Sequence, residues 1–281
     1  MIMTEQEVKD MKAVMAADKT GNRKFWSPPS KVEGTFPIRI LPPLKKNEEK
    51  VFYFSHQAHW LAGSSYECLA QTLMDKNRKL HESEPCPVCQ FVKKLYATAE
   101  RDTDEWKLAS SLRAKARYIY RVVVRNSENY KNENEDIPVF YETGKTIFDI
   151  IYHVITETKF GIIVDLKNGR DFNIVKNGVG RQSRYDQSMP EAEISQVFED
   201  AQKIKTLLEN ATKMNYSSLI EFTSYNFLDK EMKESMGIIQ QSDNQQGPLQ
   251  EFDNAKKPEE PAELKEEGGD EIDEILKEFT V

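Results

Sequence analysis

The chain has 281 residues, enough for one large domain or two small ones, with 31% charged and 38% hydrophobic side chains and a formal net charge of −8. No apolar run approaches the roughly 20 residues of a membrane span, and the start of the sequence lacks a basic-then-apolar leader pattern, so a soluble cytoplasmic protein is expected. Three cysteines, an odd number containing one Cys-x-x-Cys pair, argue against a disulfide framework and for a reducing compartment.

In chain order, Thr4 to Ala16 predicts a short helix, with Thr4 as N-cap, Glu7 as its capping-box partner and Val8, Met11 and Met15 on one face. Pro28-Pro29-Ser30 marks an extended linker. Phe36 to Leu41 alternates as a strand and stops at Pro42-Pro43. Val51 to Leu61 predicts the next strand, leading through a hairpin to Cys68, and a polar loop of seventeen residues separates Cys68 from Cys86.

The Cys86-Pro87-Val88-Cys89 knuckle places two thiolates on one ion, and the hairpin supplies a third sulfur and an imidazole. With a turn centred between Gly63 and Ser64, His59 sits opposite Cys68. Cross-strand Cβ atoms are then about 4.5–5.5 Å apart. A structural Cys3His zinc site on His59, Cys68, Cys86 and Cys89 is expected. His56, on the opposite strand face, and His81, before the knuckle, compete for the histidine position. A redox dithiol and three plainly buried cysteines are the other readings of the same residues.

Phe91 to Ala99 predicts a helix. The stretch Lys107 to Arg125 contains Lys107, Arg113, Lys115, Arg117, Arg121 and Arg125 and no acid. Its second half is strand-like, with Arg117, Arg121 and Arg125 on one face and Tyr118, Tyr120, Val122 and Val124 on the other. Cations that neutralise phosphates, interleaved with rings that stack on unpaired bases, suit a single-strand binder. A solvated edge strand with snorkelling arginines has the same pattern.

Pro138 to Tyr141 predicts a short strand. Thr146 to Ile155 predicts a helix with Ile147, Ile150, Ile151 and Val154 as its apolar stripe. Phe160–Leu166 and Asp171–Val175 predict a hairpin across Asn168-Gly169. Lys176, Arg181, Arg184 and Tyr185 continue the basic-aromatic theme, and Ile194 to Ala211 predicts a long amphipathic helix.

From about Gln240 the composition is that of a disordered tail. Twelve of the 47 acids but only four of the 39 bases fall in residues 248–281, leaving thirty-five of each in the rest, a neutral body. The end of the tail carries Ile272, Ile275, Leu276 and Phe279 at helical spacing among acids, as expected of a peptide that folds on a partner.

Four motifs in order resemble the T-even-type bacteriophage single-stranded DNA-binding (helix-destabilising) protein family. They are Ile38-Arg39-Ile40-Leu41-Pro42, the Cys86-Pro87-Val88-Cys89-Gln90 knuckle, Gly144-Lys145-Thr146-Ile147-Phe148-Asp149 and Ser183-Arg184-Tyr185-Asp186-Gln187-Ser188. The resemblance spans about residues 25–230 and extends to the acidic tail. It implies a mainly β, α+β fold: an OB-fold barrel with an inserted zinc-binding subdomain, and single-stranded DNA in a basic cleft. It implies one structural zinc ion, no catalysis, cooperative self-association along DNA, and a tail that engages replication and recombination proteins. By motif, Tyr96, Trp106, Arg113, Tyr118, Tyr141 and Tyr185 correspond to cleft residues.

The expected organisation is an N-terminal arm at 1–24, a DNA-binding core at 25–240 with its zinc subdomain at about 52–100, and the tail at 241–281. Departures from the family pattern are a longer interval from Cys68 to Cys86, a shorter one from the histidine to Cys68, Gln182 where an aromatic is expected, and a different N-terminal arm. Two other classes remain: a zinc-ribbon regulator of duplex DNA and a zinc-dependent hydrolase or deaminase. The deaminase pattern needs His-x-Glu, and none of His56, His59, His81 and His153 has Glu two residues on.

Overall fold

The second half of the acid-free stretch becomes the strand to which most of the sheet is attached. In the computed structural model, the described residues are 25–237, apart from 45, 46, 48, 76, 77, 133 and 158. The predicted N-terminal helix and arm and the acidic tail lie outside the described residues. β6 (Lys115–Val124) takes β7 (Val139–Gly144) along one edge, with Tyr120 opposite Tyr141 and Val122 opposite Val139. Its other edge is shared. β2 (Tyr53–Leu61) pairs with its first half, Tyr53 opposite Tyr120, and β1 (Gly34–Ile40) with its second half, Ile40 opposite Val122.

β1 continues to β8 (Phe172–Lys176), which pairs with β9 (Met189–Pro190), and β3 (Ser64–Glu67) folds back on β2. Every pairing is antiparallel. The path ends at β3 and β9, so the expected barrel is not closed among the described strands. What is present is a mixed α/β fold: an open antiparallel sheet with helices packed around it.

Both faces of β6 are covered, and its residues Ile119 to Val124 are all buried. Val122 and Val124 join Phe36, Ile38, Phe172 and Ile174 beneath α3 (Lys145–Thr156), which contributes Ile147, Ile151 and Val154. Val123, on the other face, packs with Leu41, Val197, Leu207 and Ala211, the last two from α4 (Ala201–Lys213). A strand buried on both faces reads as a continuous apolar run.

Period two therefore gives the faces of β6 correctly, but the arginine face is not solvent. Each of its three arginines meets a carboxylate from a distant segment: Arg117 meets Glu142, Arg121 meets Glu49 and Arg125 meets Asp171.

Where β6 passes from β2 to β1, Arg121 fills the corner. It is 2% exposed, forks onto Glu49 through two 2.8 Å bonds, donates to the Met214 carbonyl at 2.7 Å, and lies 4.1 Å over the Tyr216 ring. The side chain holds together the 41–52 connection, β6 and the segment after α4.

Four local expectations change. The polar loop between Cys68 and Cys86 contains a small ribbon, β4 (Leu73–Asp75) paired with β5 (Arg78–His81). The helix after the knuckle, α1 (Pro87–Thr98), starts within it, with Pro87 in the first turn, where its missing N–H costs nothing. The Asn168-Gly169 hairpin does not form, and β8 pairs with β1 instead. Asp165 Oδ1 accepts the N–H groups of Lys167 and Asn168 at 2.7 Å each, closing a tight turn where a Cβ on Gly169 would collide with the Asp165 carbonyl. Residues 194–200 are not helical; Asp200 caps α4 by accepting from Gln202 N at 2.8 Å.

Two helices were not read in the sequence. α2 (Asp104–Leu112) and α5 (Tyr225–Ser235) close a second core, in which Ala109, Leu112, Leu228 and Met232 surround Leu61, Cys68, Cys86 and Val88. Among the described residues no helix is long and apolar enough to cross a membrane.

Candidate metal centre and nucleic-acid interface

Along β2 the buried positions change parity. Phe54, His56 and Ala58 face inward in its first part, His59 and Leu61 in its second. The strand thus leaves the main sheet and enters the second core, carrying His59 with it. Its turn uses Ala62 (φ 48°) and Gly63 (φ 90°), two left-handed residues as a two-residue hairpin requires. The turn lies one position earlier than Gly63-Ser64 predicts. His59 is therefore opposite Tyr66, and Cys68 follows β3 opposite Gln57, its N–H bonded to the Gln57 carbonyl at 2.8 Å.

The four expected donors nevertheless converge. His59 Nε2 lies 3.4 Å from Cys86 Sγ and 3.5 Å from Cys89 Sγ, and the Cys68 and Cys89 sulfurs are 3.5 Å apart. All four donor atoms lie within 4.8 Å of one another, and His59, Cys68 and Cys86 are buried. A tetrahedral ion with bonds of about 2.3 Å to sulfur and 2.0–2.1 Å to nitrogen spaces its ligands roughly 3.5–3.8 Å apart. Three of the six donor pairs, at 3.4–3.5 Å, have about those spacings.

Its electrostatics also fit a cation. His59 Nδ1 is 2.7 Å from the Leu112 carbonyl, which only accepts, so Nδ1 carries a proton and Nε2 is the atom turned to the sulfurs. Burial works against a charged His59, but the sulfurs of Cys86 and Cys89 outweigh it and raise its pKa to about 10. Hydrogen bonds from Cys68 and Cys89 hold the Cys86 thiol far below the ordinary cysteine range. Cys86 is the N-cap of α1, where the helix dipole favours thiolate.

The competing histidines have other partners. His81 stacks on Phe222 with ring centroids 3.8 Å apart and reaches the Leu69 carbonyl at 2.9 Å. His56 is 4% exposed between Glu67 Oε2 at 2.9 Å and Glu142 Oε1 at 3.0 Å.

The residues expected at the nucleic-acid cleft fall into separate groups. Arg117, Tyr141 and Tyr185 line one cavity of about 340 Å³, together with Gly144, Thr146 and Ile147. Tyr118 lines a second, of about 600 Å³, with Tyr53, Gln57, Gln71 and Phe148. Successive residues of β6 and α3 thus serve the two cavities in turn. Tyr118 and Phe148 are stacked, centroids 3.7 Å apart and planes 8° from parallel. Tyr53 meets Phe148 edge-on at 5.2 Å, and Tyr152, 61% exposed, extends the ring row.

On the helical lobe, Tyr96 of α1 and Trp106 of α2 meet edge-on at 5.9 Å. Lys107, Arg113, Lys115 and Arg184 are exposed. The Arg181 side chain lies outside the described residues. Two placements correct the expectation. Arg121 is a buried ion-pair partner without a route to phosphate. Tyr141 is 4% exposed against Trp26, its centroid 5.5 Å away, so it is a wall of the cavity rather than a free ring.

Three residues at these cavities were missed. Phe148 reads only as part of a helix start and Tyr53 only as strand, although the four-residue spacing of Phe148 and Tyr152 is a usable signal. Glu142, an acid lining the cavity beside Arg117, had none. Burial pushes its pKa up, but the hydrogen bond from His56 and the charge of Arg117 pull it below the ordinary range.

A family model described as "gp32 DNA binding protein like" matches residues 33–236. No curated protein matches the chain.

Proposed function

Since this chain belongs to the gp32-like family of DNA-binding proteins, that of the T-even-type bacteriophage single-stranded DNA-binding proteins, we propose that it coats unpaired DNA without regard to sequence. The observation that carries this reading beyond DNA binding in general is the ring row. Tyr118 stacked on Phe148, with Tyr53 and exposed Tyr152 beside them, borders a cavity of about 600 Å³ on the strand that also carries Arg117. Bases offer faces to such rings only when unpaired, and each stacked base contributes about 1–3 kcal/mol. Exposed Lys107, Arg113, Lys115 and Arg184 supply cations for phosphates.

In this reading the His59, Cys68, Cys86 and Cys89 cluster holds one structural zinc ion. Four protein ligands leave no open coordination position, so the chain binds rather than catalyses. The sheet is OB-type: the corner at Arg121, where β6 exchanges β2 for β1, is the kind of hand-over that bends a sheet toward closure. The protein works in phage DNA replication, recombination and repair inside the host cytoplasm. Residues 1–24 serve self-association along DNA, and the acidic tail docks replication and recombination proteins.

The test is one labelled oligonucleotide, offered single-stranded or annealed to its complement, over a range of salt. The single strand is expected to bind at least about tenfold more tightly, with log affinity falling linearly in log salt. Preference for the duplex, or discrimination among duplex sequences, would overturn this reading in favour of a zinc-ribbon regulator.

A further inference from the structure

Glu142 is a misplaced charge for a protein that binds a polyanion. It lines the cavity of Arg117, Tyr141 and Tyr185, where an uncompensated carboxylate would repel phosphate. His56 resolves this. Its side chain is 2% exposed, and each ring nitrogen faces a carboxylate: Nδ1 meets Glu67 Oε2 at 2.9 Å and Nε2 meets Glu142 Oε1 at 3.0 Å.

Ionised carboxylates only accept, so both nitrogens carry protons and the ring is an imidazolium. The second oxygen of Glu142 accepts from Arg117 Nη2 at 2.7 Å. Every element packed around His56 supplies one of these groups: Glu67 from β3, Arg117 from β6 and Glu142 from β7. Gln71, uncharged, completes the shell by donating to Glu67 at 3.3 Å. Two cations and two anions sum to zero; a neutral His56 would leave a net negative charge at the cavity.

We propose that His56 is a positioning residue for nucleic-acid contact: its buried imidazolium cancels Glu142 and holds it where it presents the Arg117 guanidinium to the cavity. This rests on the single-strand-binding reading and adds a proton linkage to it. Burial alone would lower the pKa of His56, but the bonds to Glu142 and Glu67 raise it to about 9. The folded value lies above the ordinary 6.5. The charge is therefore present at neutral pH and lost as pH rises through about 9. DNA, an anion, must favour the protonated form and raise this pKa further, and by reciprocity affinity must fall across the same window.

The test uses the full chain with labelled histidines, followed by NMR between pH 7 and 10.5 with and without saturating oligo(dT), His56 being assigned as the signal that H56Q lacks. The proton affinity of His56 is expected to rise about fivefold or more on DNA binding. In parallel, oligo(dT) affinity of the native chain is expected to drop by most of that factor between pH 8 and 10. H56Q is expected to start about fivefold weaker at pH 7 and to lack that drop. A merely structural histidine would lower the melting temperature of H56Q and leave the alkaline limb unchanged. Binding with an unmoved His56 titration overturns this proposal alone; absence of oligo(dT) binding at pH 7 overturns the reading beneath it.

Discussion

Replacing Cys86 by Ser is expected to unfold the helical lobe at temperatures where the native chain is intact, and removal of the metal by a chelator should do the same. A structural zinc ion contributes about 10–16 kcal/mol of binding free energy that is also folding free energy, and a whole domain is stable by only about 5–15 kcal/mol. The second core is built on the cluster. Cys68 and Cys86 are themselves core residues beside Leu61, Leu69, Val88, Val92, Leu112, Leu228 and Met232. Without the ion, thiolates and an imidazole are left buried and uncompensated. The measurement is zinc release, one per chain, followed alongside circular dichroism and limited proteolysis. Cleavage should appear in 68–112 as the metal leaves. A metal-free chain with an unchanged melting temperature and proteolytic pattern would refute the structural role.

Arg121→Ala is the second large effect, and it falls on stability. Removing the guanidinium leaves Glu49, 7% exposed at its side chain, as an unpaired buried charge and strands the Met214 carbonyl. Breaking a buried pair from one side costs about 3–5 kcal/mol. Glu49→Gln in the same chain should restore part of that loss, so a double-mutant cycle by chemical denaturation isolates the pair. DNA affinity per folded molecule should be unchanged, because Arg121 has no surface to offer. A loss of affinity with intact stability would return Arg121 to the cleft.

Arg121 also shows where sequence reading stops. Alternation along β6 assigns its two faces correctly, but not that both are covered. Glu49, Glu142 and Asp171, which neutralise the arginine face, are remote in sequence and joined to it only by sheet topology. The metal donors were legible because Cys-x-x-Cys is a local pattern whose spacing alone places two sulfurs on one ion. The hairpin slipped by one residue because Gly63-Ser64 is the better turn signal, while the fold puts Ala62 at a positive φ. The slip did no harm to the cluster: moving the turn by one position shifts the pairing by two residues, which keeps Cys68 on the face of Tyr66, the residue opposite His59.

Two helices were missed for opposite reasons. α2 starts at Asp104 and overlaps the acid-free stretch only from Lys107 on, where charge is the dominant pattern. α5 has only Leu228 and Met232 buried, an apolar face too sparse to stand out. Asn168-Gly169 signals a turn but not that Asp165 closes it, a choice of side-chain hydrogen bond that the dipeptide does not encode.

The proposed single-strand binding places unpaired bases against Tyr118 at one cavity and against Tyr185 at the other, which Arg117 also lines. It is tested most directly by titrating the intrinsic fluorescence of the native chain and of the Tyr118→Leu, Tyr185→Leu double variant with poly(dT), with circular dichroism confirming the fold. Each lost stack is worth about 1–3 kcal/mol, so the native chain should be quenched on binding and the folded variant should bind at least about thirtyfold more weakly. A folded variant that binds poly(dT) as tightly as the native chain would contradict the account.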